Sequence, residues 1–203
     1  YTTEENLRRS LFQNYSRYNR PIINFSENIQ LTYGLEIKSL EYLDQKAENI
    51  QFNIWIIQTW KDEYLTWNTS IYNLSKITCH SDMIWTPDLE LYNSASKPKV
   101  YDKYGGTKVF SDGTVIWIRP TTFSFACPLD FKNFPFDTQS CTMLFGSWKY
   151  PKHILDIKPF NDGDSYLNIS IDPLFSHNEW MITQTSVRHE DIEYLCCPDE
   201  YYP

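Results

Sequence analysis

Residues 49–68 read NIQFNIWIIQTWKDEYLTWN. Ile50, Phe52, Ile54 and Ile56 recur at every second position, so they share one face of a strand. Asn53, Trp55, Ile57 and Thr59 share the other. The first row is wholly apolar and predicts a buried face. The second is mixed and leaves Trp55 pointing away from the buried row. A second layer or a neighbouring subunit would have to cover it.

Working outward, the same period of two runs through IQLTYGLEIK, residues 29–38, where Ile29, Leu31, Tyr33, Leu35 and Ile37 predict a half-buried strand. Before it, TTEENLRRSLFQNY reads as a helix that ends ahead of Pro21. Thr2 and Glu5 have capping-box spacing, and Leu7, Leu11, Phe12 and Tyr15 fall on one face. Downstream, KVFSDGTVIWIRP, residues 108–120, is a hairpin that turns at Asp112-Gly113. WTPDLELYN, residues 85–93, has Pro87 and Asp88 as turn formers, which puts Tyr92 on a loop or short strand. FACPLDFKNFPFDTQSCTMLFGSW leads into a further strand. DIKPFNDGDSYLNISIDPLFSHN, residues 156–178, reads as a long polar loop, and EWMITQTSVRHEDIEYL resumes strand alternation. Short strands separated by turns, behind one leading helix, predict an all-β, immunoglobulin-like twisted sandwich formed by residues 1–203 as a single domain.

The composition excludes several classes. A net charge of -8 and a pI near 5.0 argue against nucleic acid, which requires a basic face. No apolar run approaches the roughly 18 residues of a membrane span. Tyr1 opens directly into an amphipathic segment, which predicts a mature or trimmed chain without a signal peptide. No G-x-S-x-G, HExxH or Gly-rich phosphate loop occurs, and His80, His153, His177 and His189 are scattered, so no enzyme, cofactor or metal centre is expected. Seven Trp, 15 Tyr and 12 Phe fit a β-rich core, since aromatics favour strands, and some of these rings are also candidates for a binding surface; position must separate the two. Asn-X-Ser sequons at Asn14, Asn24, Asn68, Asn73 and Asn168 point to a secretory route, which permits disulfides.

Five cysteines leave one over, and Cys79, in SKITCHSDMIW, reads as a small buried apolar residue. A disulfide between Cys127 and Cys141 would close a loop worth roughly 3 kcal/mol in the chain-entropy model. Phe134, Pro135 and Phe136 form its middle. They either fold back onto the core or dock on another apolar surface. Cys196 and Cys197 lie in EYLCCPDEYYP, residues 193–203. Their Cα atoms are about 3.8 Å apart across a trans peptide, short of the usual disulfide range of about 4.4–6.8 Å. A bond between them would make a tight ring. The alternatives are distant partners or a metal, but no His or third Cys stands nearby at ligand spacing.

Together the Cys-13 residues-Cys loop with FPFD, WTPDLELYN, GSWKY and YLCCPDEYY resemble the extracellular ligand-binding domain of nicotinic acetylcholine receptor α-type subunits, in the Cys-loop pentameric channels. The soluble acetylcholine-binding proteins share that fold. The resemblance implies five subunits in a ring, as a homo- or hetero-pentamer, and an agonist site at subunit interfaces. The principal face would supply Tyr92, Trp148, Tyr194 and Tyr202, with the Cys196–Cys197 tip closing over the ligand. The complementary face would supply Trp55, Ile116, Ile118 and either Val109 or Phe110. A small cationic ligand would be held by ring quadrupoles, at roughly 0.5–2 kcal/mol per ring. Asp88 is expected to brace the loops by hydrogen bonds, because a carboxylate inside the cage would be costly to desolvate. The resemblance also implies a membrane channel domain in the full-length receptor and an extracellular location. The Phe134–Phe136 tip would then be the coupling contact. Leu144 and Pro151-Lys152 depart from the family pattern, and its final strand, which returns from the Cys-Cys loop, is not expected within residues 1–203. A secreted binding protein that buffers transmitter is the second reading. A glycan-binding or adhesive sandwich is the third.

Overall fold

A computed structural model describes residues 2–101, 106–159, 169–177, 179–195, 197 and 200–203. Helix α1, Thr3–Phe12, starts where the capping signal places it, since the Thr2 hydroxyl accepts a hydrogen bond from the Glu5 N–H at 3.2 Å. Leu7 is its buried anchor, with Leu11 and Phe12 packed partly against the same core.

Two long strands, β1 (Ile29–Asp44) and β2 (Asn49–Thr66), form the centre of the fold. A short helix α2 (Thr69–Tyr72) and strands β3 (Lys76–Cys79), β4 (Leu89–Leu91) and β5 (Lys99–Val100) follow. Strands β6 (Thr107–Phe110) and β7 (Asp112–Ala126) make the predicted hairpin. Then come β8 (Phe145–Ser147), β9 (Leu155–Pro159), β10 (Ile169–Ile171), β11 (Ile192–Glu193) and β12 (Tyr201–Tyr202). The large sheet runs β10-β1-β2-β7-β6-β3, with β5 also on β7 and β9 on β1. Strands β4 and β8 form a second sheet, and β11 and β12 a separate hairpin. This is the expected β-sandwich.

The β2 reading holds. Ile50, Phe52, Ile54 and Ile56 are all buried, while Trp55 is 40% exposed on the outer face. One apolar cluster gathers Leu7, Trp60, Trp85 and Val109 at the helix end, and another gathers Leu35, Phe52, Phe123 and Phe125 at the far end. Cys79 is a buried free thiol in the first cluster, as its apolar context suggested.

In β1 the pairing register slips twice, at Lys38 and again at Glu41. Ile37 pairs with Ile54 and Ser39 with Asn53, which leaves Lys38 as the extra residue of a bulge. The next core residue is therefore Leu40 rather than Ser39. At the β6–β7 turn, Gly113 has φ +88°, and a Cβ there would come within 2.5 Å of the Asp62 carbonyl oxygen. Only glycine fits that turn.

Three expectations are corrected. The segment 156–178 is not simply a loop, because Leu155–Pro159 and Ile169–Ile171 both pair in parallel with β1. Its polar, Pro-containing sequence hid the pairing. Pro159 comes last in its strand, where a missing N–H does least harm. Conversely, the alternation in residues 181–190 produces no strand among the described residues. Alternation alone makes no ladder without a neighbour to supply hydrogen bonds. Finally, a return strand is present at the Cys-Cys loop: Ile192 pairs with Tyr202 and Glu193 with Tyr201.

Candidate functional site

The short β4–β8 sheet positions the first pair of rings. Leu89, Glu90 and Leu91 pair antiparallel with Ser147, Gly146 and Phe145, so Tyr92 and Trp148 leave from opposite ends of the ladder and the Tyr92 ring lies back across Gly146 to reach Trp148. The two rings meet edge to face, with centroids 6.2 Å apart and planes at 75°. The Tyr92 hydroxyl donates to the Ser147 carbonyl at 2.8 Å. Tyr92 lies across Gly146 so closely that a Cβ there would fall 2.9 Å from its ring. Trp148 is 75% exposed, open to a ligand on its outer side.

Asp88 holds this loop as expected. One carboxylate oxygen accepts from the Ser147 hydroxyl at 2.7 Å and the other from the Lys149 N–H at 2.8 Å. The Ser147 hydroxyl oxygen also accepts from the Tyr150 N–H at 2.9 Å.

The β11–β12 hairpin brings the second pair. Tyr194 and Tyr202 meet edge to face, with centroids 5.5 Å apart. The Tyr92 phenol is pushed up to about 12 by burial and then by the neighbouring Tyr194 and Asp88. The Tyr202 phenol is also raised to about 12, first by its hydrogen bond to Glu200. Both therefore stay neutral near pH 7 and present rings and hydroxyl dipoles rather than phenolates. Carboxylates at Asp88, Glu90 and Glu200 stand close by, a setting that attracts cations. Lys152 ties the hairpin to the Trp148 loop: its N–H donates to the Tyr201 carbonyl at 2.7 Å, and its ammonium is 2.5 Å from Asp191.

Trp55, Ile116 and Ile118 share the outer face of the large sheet. Thr59 pairs with Ile116 and Ile57 with Ile118, and both isoleucines are half-buried. Phe110 is half-buried too. Val109 is not on this face: it is fully buried in the core and pairs with Val115. Strand phase puts Phe110 rather than Val109 on the outer side, which needs the pairing register as well as the sequence. Lys108, opposite Ile116, stands on the outer face instead. Sequence reading also missed Lys38, whose ammonium lies 3.8 Å from the Trp55 ring centroid. Alternation places Lys38 with Glu36 on the outer face that carries Trp55, but does not record which ring it meets.

The Cys127–Cys141 disulfide is present, with Cα atoms 4.9 Å apart. Inside its loop, Asp130 and Gln139 exchange two hydrogen bonds of 2.9 Å. Phe134 and Phe136 are exposed, the latter at 90%, so the tip does not fold back onto the core. Cys196, and with it the proposed Cys196–Cys197 ring, lies outside the described residues, as does Asn168. Asn14, Asn24, Asn68 and Asn73 are all exposed. Among the described residues no cluster suits a metal ion, and no helix is long and apolar enough to cross a membrane.

Fold and rings together define a β-sandwich that presents an aromatic surface rather than catalytic machinery. The chain belongs to the neurotransmitter-gated ion-channel ligand binding domain family, which it matches over residues 4–203. It is 34% identical over 200 residues to the neuronal acetylcholine receptor subunit alpha-2 of Homo sapiens, covering 98% of this chain and 37% of that protein. It is also 34% identical over 199 residues to the alpha-4 subunit of Mustela putorius furo, covering 98% of this chain and 31% of that protein. The chain thus spans about a third of the length of these curated relatives. Among solved structures, a Capitella teleta AChBP in complex with lobeline superposes with TM-score 0.82 at 26% identity, over 98% of this chain and 92% of that one. The family is one of ligand-binding domains, not of enzymes.

Proposed function

We propose that residues 1–203 form one extracellular domain that binds a cationic neurotransmitter, acetylcholine or a nicotine-like amine, in an aromatic cage between subunits of a pentameric ligand-gated cation channel. The observation that carries this reading is the ring set. Tyr92 touches Trp148, Tyr194 touches Tyr202, and Tyr194 lies beside the Tyr92 hydroxyl. Trp55 stands apart on the outer face of the other sheet. Four rings at one place and a fifth on a separate surface suit a site that two neighbouring subunits complete, whether in a homo- or a hetero-pentamer. A quaternary ammonium, which has no N–H to donate, is held by ring faces. Neutral tyrosines and nearby carboxylates complement it. The Cys196–Cys197 tip would close over the bound cation and exclude water.

The exposed Phe134–Phe136 tip favours a receptor, since an apolar tip needs a surface to dock on. Likeness to an AChBP supports the second reading, a secreted protein that buffers transmitter. A transcript that continues into four apolar segments of about 20 residues would decide for the receptor. The direct test is titration calorimetry of the assembled protein with cationic transmitters and with lobeline, the compound bound to the solved relative. Trp148→Ala should weaken binding tenfold or more, about 1.4 kcal/mol. Unchanged affinity would remove Trp148 from the cage.

A further inference from the structure

Trp55, the ring of the complementary face, already has a cation over it. The Lys38 ammonium is 3.8 Å from the ring centroid, well within the roughly 6 Å over which the ring quadrupole attracts a cation. The same ammonium lies 2.9 Å from a Glu36 carboxylate oxygen and 2.8 Å from an Asp172 carboxylate oxygen. Glu36 is the register partner of Trp55. Asp172 is anchored by its own N–H, which donates to the Ile37 carbonyl at 2.9 Å, and by accepting the Leu174 N–H at 2.8 Å.

Lys38 is also the extra residue at the first of the two register slips in β1. In regular pairing it would have a partner on β2 and project straight out. At the bulge it has no β2 residue opposite, and alternation sets it on the outer face with Glu36, the register partner of Trp55. Two carboxylates from different segments then fix it there. They outweigh the burial that works against its charge and hold its pKa above the ordinary lysine value. The arrangement is a clamped ion triad with an indole as its fourth wall, not a wandering surface lysine.

We propose that Lys38 is a built-in competitor for Trp55, lowering the affinity of the complementary face for ammonium ligands and leaving recognition of the cation to Tyr92, Trp148, Tyr194 and Tyr202. This rests on the interfacial cage proposed above. A ligand cation that approaches Trp55 finds one face of the ring already engaged by the ammonium; the triad, one ammonium with two carboxylates, carries no net positive charge, so the competition is for the ring quadrupole itself. A ligand gains more at this face from apolar or hydrogen-bond-accepting atoms than from a second cation. The triad therefore sets ligand class as well as affinity.

The test uses the assembled protein and two probes: acetylcholine, and its uncharged tert-butyl isostere 3,3-dimethylbutyl acetate. Lys38→Met keeps an unbranched side chain one atom shorter and removes its charge; Lys38→Gln is the second variant. Both should tighten acetylcholine about three- to tenfold and leave the isostere unchanged, while Lys38→Arg should bind like the wild type. The gain should vanish when Trp55→Ala is added. Unchanged or weaker acetylcholine binding in Lys38→Met, or an equal gain for both probes, overturns the proposal. Failure of the cage reading looks different. In that case the wild type binds no ammonium ligand, or Trp148→Ala binds normally, and this inference falls with it.

Discussion

Asp88 grips Trp148 from both sides. One oxygen takes the Ser147 hydroxyl before it and the other takes the Lys149 N–H after it, at 2.7 and 2.8 Å. The carboxylate touches the backbone and side chain that aim the ring, so its contribution is preorganisation. An Asp88→Ala variant loses both bonds and leaves the Ser147 hydroxyl and Lys149 N–H to find new partners. Its stability should drop by about 1–3 kcal/mol, and cationic ligands should bind several-fold more weakly. Calorimetric melting alongside ligand titration checks both. A variant with wild-type affinity would show that the loop holds its shape without Asp88.

Gly146 sets how near Tyr92 can lie to the β8 backbone. Its missing Cβ would sit 2.9 Å from the Tyr92 ring, which is inside van der Waals contact. Gly146→Ala should push Tyr92 off Trp148, costing about 1–3 kcal/mol of stability through overpacking. Ligand affinity should fall with it. Near-ultraviolet circular dichroism, which senses the coupled rings, would report the displacement. An unchanged spectrum would mean that the ring has room to yield.

Val109 and Phe110 should separate stability from binding. Val109 is fully buried and Phe110 half-buried on the opposite side of the strand. Val109→Ala removes two methyl groups from the core and should cost about 2 kcal/mol without altering ligand preference. Phe110→Ala should change ligand affinity more than melting temperature. The reverse pattern would place the strand in the other phase.

Asp62 gives the fold a pH dependence. It is fully buried, accepts the Tyr15 hydroxyl at 2.6 Å, and its carboxyl is pushed up to about 6 by burial, against the hydrogen bonds that favour its charge. Between about pH 4 and 6 the folded chain keeps a proton that the unfolded chain, with an ordinary value of about 3.9, has released. The folded state then binds more protons, so stability from this group falls as pH rises through that window. Relative to Asp62→Asn, the wild type should lose up to about 3 kcal/mol across it. Denaturant midpoints measured from pH 4 to 7 test this, and parallel profiles for the two proteins would refute it.

Much of the fold was legible because its longest elements obey simple periods. Thr2 and Glu5 marked the helix start, the Ile50–Ile56 row marked the buried face of β2, and Asp112-Gly113 marked the hairpin. Each of these signals is local. The parallel strands beside β1 were missed because they are short and one of them, β9, ends in proline. Their stability comes from the edge they pair with, not from their own residues. Residues 181–190 misled for the opposite reason, since they carry the alternation of a strand but have no ladder partner among the described residues. At the site, the ring residues were readable from their motifs. Lys38 was not, because an aromatic ring in the sequence carries no sign of the cation above it.

By itself the sequence determined that this chain is a β-sandwich led by one capped helix, with Trp55 turned outward and a Cys127–Cys141 loop tipped by phenylalanines. Periodicity, turn chemistry and cysteine spacing act over a few residues, so they survive without coordinates. Only the tertiary structure decided which of Val109 and Phe110 faces outward, that Asp88 brackets Trp148, and that Lys38 covers Trp55. Those facts depend on pairing register and on contacts between segments far apart in sequence. In a strand, a shift of one residue exchanges the two faces, and nothing local in the sequence records which neighbour sets it.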